Sequence, residues 1–108
     1  MMASPVVGSE AHKELFCRTF IETHDPYDPA TLPFPDIDPD SRARLLSLPI
    51  WDEAINTERE TAMKVARMAG AEPDPLVRQA IALQGFEEHR HAALLDLLTQ
   101  RYEIPVKR

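Results

Sequence analysis

Three side chains in the second half of the chain have the types and the spacing for metal chemistry. Glu58 stands in Trp51-x-x-Ala54-Ile55-x-x-Glu58-x-x-x-Ala62-x-x-Val65, and Glu88 and His91 stand in Gly85-Phe86-Glu87-Glu88-His89-Arg90-His91. A carboxylate or an imidazole on an otherwise apolar helical face costs free energy unless something compensates it. Oxygen donors joined by an imidazole suit iron or manganese, and zinc also accepts them. Taken singly, each residue has an ordinary reading. Glu58 fits a buried carboxylate satisfied by an Arg or Lys from the N-terminal region, and His91 fits a satisfied core histidine. Taken together, the three point to a bound metal and to a site that one chain does not complete.

Such residues need helices to position them. At about 100° per residue, Trp51, Ala54, Ile55, Ala62, Val65 and Ala69 share a stripe with Glu58 near its middle, while Glu53 and Glu60 face the other way. Further on, Val77, Ile81, Ala92 and Leu95 share a stripe that includes Gln84, Glu88 and His91. His89 and Arg90 point off this face and Glu87 lies at its edge, so neighbouring polar residues are not equivalent. Gln84, one turn before Glu88, either hydrogen-bonds a metal ligand from outside or is partly exposed. Leu83, Phe86, Leu94 and Leu97 lie roughly opposite. A two-helix hairpin cannot bury both faces, so one must meet another chain and the other the N-terminal segments.

The punctuation of the chain sets the boundaries. Residues 1–9 are expected to be disordered, and Glu10 to His24 to form a short helix. Pro26, Pro29, Pro33, Pro35 and Pro39 forbid a persistent helix or strand from Asp25 to Asp40. This stretch is either an arm lying across a groove or partner, with Tyr27, Leu32, Phe34 and Ile37 as apolar points, or a plain linker. Asp40 or Ser41 is expected to cap a short helix through Leu48. A longer helix should run from Pro49 to Ala69 with Gly70 as its stop. Asp74 and Pro75 should cap and open a second long helix reaching Tyr102, with Pro105 beyond it. The short turn between them requires an antiparallel hairpin. Glu58 lies twelve residues before Gly70 and Glu88 thirteen after Pro75, so the two should come level. The fold class is therefore all-α: residues 1–40 form a tail, short helix and Pro-rich arm, and residues 41–108 form a helical hairpin.

The pattern of Glu58 with the Glu88-x-x-His91 pair resembles one half of the site in the ferritin-like superfamily of di-iron carboxylate proteins. That site takes one Glu from each of two helices and a Glu-x-x-His from each of the other two. The resemblance covers the hairpin and leaves out residues 1–40. It implies that Glu88 bridges two ions and that Glu58 and His91 are terminal ligands. It also implies a four-helix bundle, two iron ions per homodimer (or manganese or zinc), and O₂- or peroxide-dependent oxidation of iron. The chain departs from the family in offering one hairpin where most members have four helices. It is similar to the N-terminal half of a longer ferritin-like protein, or to a hairpin that pairs with itself. A non-catalytic dimerisation or scaffold module, and a half-site completed by a separate chain, are the rival readings.

Composition narrows the setting. The 108 residues suffice for one small domain. A net charge of −6 and a pI near 5.1 argue against a nucleic-acid partner. No apolar run is long enough for a membrane span, and the start lacks the layout of a signal peptide. Cys17, the single cysteine, has no intrachain partner and should pack as a small apolar group, which fits a cytoplasmic protein. His12 and His24 are expected at the surface, and Met63 and Met68 as ordinary helix-surface or packing residues.

Overall fold

The computed structural model describes residues 4–107 and is all-α, with four helices: α1 (Glu10–Glu22), α2 (Pro39–Ser47), α3 (Trp51–Ala71) and α4 (Pro75–Arg101). One 3₁₀ turn, Pro29–Thr31, interrupts the segment between α1 and α2. Of the stretch expected to be disordered, residues 1–3 lie outside the described residues, and the remainder is ordered by the start of α1. Ser9 accepts from the His12 amide, its own amide and hydroxyl donate to the Val6 carbonyl, and Gly8 takes a left-handed φ of 87°. A Ser cap with a glycine before it fixes the chain entering the helix.

Other boundaries differ from expectation by a residue or two. Asp38, rather than Asp40 or Ser41, caps α2 by accepting from the Ser41 amide at 2.7 Å, because Pro39 then fits the first helical position. The third helix opens at Trp51 instead of Pro49; the indole N–H donates to the Leu45 carbonyl at 2.8 Å and ties the α2–α3 corner. Gly70 does not stop α3. The helix ends one residue later because Glu72 precedes Pro73 and is held in an extended conformation. Asp74 caps α4 as expected, accepting from the Leu76 and Val77 amides. At its far end the Ile104 amide reaches the Thr99 carbonyl and the Glu103 amide that of Gln100, with Glu103 at φ 55°. Arg42 donates to the Tyr102 and Glu103 carbonyls, so α2 seals the end of α4.

The two long helices pack antiparallel along small residues. Ile55, Ala62, Val65 and Ala69 of α3 are buried, as are Ala80, Gly85, Ala92 and Thr99 of α4. Gly85 suits this approach, since a Cβ there would stand 3.3 Å from Val65 Cγ1, close enough that the valine would have to give by a few tenths of an ångström. The Pro-rich stretch is a docked arm, not a loose linker. Pro29 is buried, the 3₁₀ turn packs on α4, and the Tyr102 hydroxyl donates to the Pro35 carbonyl at 2.6 Å. Arg90 anchors it from α4. Its guanidinium donates to the Asp25 and Tyr27 carbonyls and lies 3.8 Å from the centre of the Tyr27 ring. Together with α1, this arm covers one flank of α4.

Candidate metal centre

Glu58 projects from the middle of α3 and Glu88 and His91 from adjacent turns of α4, so the hairpin register brings the three to one place. His91 Nδ1 stands 3.6 Å from Glu58 Oε2 and 3.8 Å from Glu88 Oε2. One donor atom from each lies within 4.8 Å of the others. Two donors about 2.1 Å from a shared ion stand about 3.0 Å apart at a right angle and about 3.4 Å at the tetrahedral angle. The two His91 separations exceed the tetrahedral spacing by a few tenths of an ångström and the right-angle spacing by more than half an ångström, so the Glu side chains must turn inward to share one ion.

The surroundings decide between a metal and the ordinary readings. Glu58 Oε2 is buried and has no hydrogen-bond partner, a costly state for a carboxylate oxygen. Among the described residues no Arg or Lys forms an ion pair with Glu58; the nitrogen beside it is His91 Nδ1. His91 is not a core histidine, since its side chain is 46 % exposed, against 30 % for Glu58 and 21 % for Glu88. Glu88 is held above the usual carboxylate range. The leading cause is that a proton shared with Glu58 is favoured; partial burial and the Glu58 charge add to it, and His91 opposes it. Two carboxylates crowded without a cation, one oxygen orphaned, and an imidazole nitrogen turned to both form a donor set that could hold a metal ion.

The remaining sequence candidates separate. Gln84 is exposed and makes no hydrogen bond to the triad among the described residues; it lines a groove beside Glu88 and His91. Glu87 turns away from the triad into the arm clamp, 2.5 Å from Arg90 and 2.5 Å from His24 Nδ1. Burial pushes the Glu87 carboxyl up, but Arg90 and His24 outweigh it and leave it below the usual range. His24 is thus a half-buried partner of α4, not the free surface residue expected. His89, Met63 and Met68 are exposed.

Two contributions were missed in the sequence. One is the clamp of His24, Glu87 and Arg90, whose trace was an arginine placed off the metal face with no assigned partner. The other is where α1 docks: Phe16, Cys17 and Phe20 line the groove that reaches Glu88 and His91, whereas the apolar stripe of Leu15, Phe16, Phe20 and Ile21 signals only a helix face in need of a partner. Cys17 is buried there as a small apolar group. No protein family, curated protein sequence or solved structure matches this chain. Among the described residues no helix is long and apolar enough to cross a membrane.

Proposed function

We propose that the chain is a metal-binding carboxylate protein in which Glu58, Glu88 and His91 hold one divalent transition metal. Two copies would bring two such triads together as a dinuclear iron centre that oxidises iron with O₂ or peroxide. The observation that carries this reading is the orphaned, buried oxygen of Glu58 facing the imidazole nitrogen of His91 beside a second carboxylate. Among the described residues no Arg or Lys pairs with that oxygen.

Each residue has a definable task. Glu58 and Glu88 provide negative charge and hard oxygen donors, which favours iron or manganese over softer ions. His91 adds a nitrogen donor through Nδ1, and a proton acceptor at its other ring nitrogen would fix the ring. The hairpin keeps Glu58 and Glu88 level because its turn, between Ala71 and Pro75, is too short to let the helices slide. Bound iron would supply one electron per ion toward the oxidant, which two neighbouring ions could deliver together. Two triads carry four carboxylates, enough to neutralise two divalent ions.

Addition of Fe(II) in air tests the activity. Near-ultraviolet absorbance of ferric ion should grow faster with the protein than in buffer, and Glu58→Gln should remove the acceleration. Protein that binds iron but leaves the oxidation rate at the buffer value would refute the oxidase reading and favour a scaffold role.

A further inference from the structure

An open groove of about 610 Å³ runs between α1 and α4 and ends against Glu88 and His91, a size ordinary for small-molecule sites. Phe16 and Phe20 form its α1 wall. Along α4 the lining changes character in one direction. Val77 and Ile81 come first, Gln84 follows, and Glu87, Glu88 and His91 close the far end. At about 1.5 Å rise per residue, Val77 and Glu88 stand about 16 Å apart along the helix. The groove thus has an apolar body and one polar end, which matches an elongated molecule with a single polar head. Glu88 and His91 are the triad members that line it, while Glu58 reaches the same cluster from α3.

We propose that the groove binds an apolar monocarboxylic acid, its hydrocarbon tail between α1 and α4 and its carboxylate beside Glu88 and His91. The inference rests on the metal reading above and adds to it the class of molecule that reaches the ion. Charge selects the head. Among the described residues no Lys or Arg lines the groove, so a metal ion held by the triad is the cation an anionic head meets there. The same ion repels an ammonium head. A carboxylate is moreover a hard oxygen donor of the kind iron and manganese accept. Glu87 at the same end is already engaged by Arg90 and His24. Gln84, exposed at the junction of the apolar and polar zones, offers an amide N–H to a second oxygen. Without the ion, the carboxylates of the triad oppose the head with like charge. By linkage, the acid and the metal therefore raise each other's affinity by the same factor. The tail adds a term that charge does not, since burial of each methylene between the walls tightens binding by up to about fourfold.

Calorimetric titration of the whole chain with acetate, butanoate, hexanoate and octanoate, in manganese(II) and in chelator, tests this once bound manganese has been measured. Octanoate should bind roughly tenfold or more tighter in manganese(II) than in chelator. Along the series in manganese(II), affinity should rise about two- to fourfold for each added methylene. Phe16→Ser, at a position 66 % exposed and so not needed for folding, should flatten that rise while acetate affinity and bound manganese stay as in the parent. Acids that bind equally well at every chain length, or a Phe16→Ser protein with the parent's chain-length dependence, would overturn the groove as the tail site and leave the metal reading standing. Octanoate that binds as tightly in chelator, or does not bind the manganese-loaded chain, would overturn the pairing of head with ion, again without touching the metal reading. A chain that takes up no manganese at saturating metal would overturn this inference and the metal reading together.

Discussion

At the scale of single residues, the centre is defined by an imbalance of charge. Glu88 titrates above its usual value of 4.5, so the folded chain binds that proton more tightly than the unfolded chain does. The stability it contributes is complete below the usual value and is lost as pH rises through the raised one. In chelator, then, the melting temperature of the parent protein should fall relative to Glu88→Gln as pH rises from about 4.5 toward neutrality. Parallel profiles of the two proteins would remove the crowding argument. Glu87, its neighbour in sequence, behaves in the opposite sense: its contribution is present above the usual carboxylate value and lost as pH falls through the lowered one. The assignment of Glu88 and His91 to one face and of His89 to another was legible from helical periodicity. The role of Glu87 was not, because His24 meets it only after the chain has folded back across more than sixty residues, and Arg90, one turn along the same helix, is turned to it only as it clamps the arm.

At the scale of elements, the boundaries follow local chemistry more closely than composition suggested. The Asp74–Pro75 start of α4 was readable because cap and proline act within one turn. The end of α3 was misplaced because Gly70 tolerates a helix, whereas Pro73 compels its predecessor to leave one. The α4 terminus offers a clean test of such local terms. Glu103 occupies a left-handed conformation with φ 55°, where a side chain costs about 1 kcal/mol. Glu103→Gly should therefore stabilise the protein by about 0.5–1 kcal/mol in denaturant titration, since the capping bonds of Ile104 and Arg42 use main-chain atoms. Arg90 sets the stakes for the arm. It is 6 % exposed and joins Glu87, two carbonyls and the Tyr27 ring. Arg90→Met keeps much of the volume but leaves those acceptors unpaired, so it should cost about 2–3 kcal/mol. Limited proteolysis should then cut between residues 25 and 38 sooner than in the parent.

At the scale of the molecule, the hairpin leaves one side of its polar triad uncovered while its other flank is closed by α1 and the arm. The expectation that one face meets the N-terminal segments and the other something further follows from the two apolar stripes of α4. Which face would be which did not follow, because the arm's docking depends on Pro29, Tyr27 and Arg90 finding one another in three dimensions. The antiparallel pairing and the level placement of Glu58 and Glu88 could be read from residue counts alone, since a turn of three residues leaves little freedom of register. The width of the donor cluster and the orphaned Glu58 oxygen required coordinates.

The central claim is that Glu58, Glu88 and His91 share one metal ion. Metal content after anaerobic equilibration with Fe(II), compared between the parent chain and single variants, tests it most directly. The account predicts one ion per chain in the parent, loss of binding in Glu58→Ala, Glu88→Ala and His91→Ala, and undiminished binding in His89→Ala and in folded Glu87→Ala. A parent chain that holds no iron, or triad variants that hold as much as His89→Ala does, would contradict it.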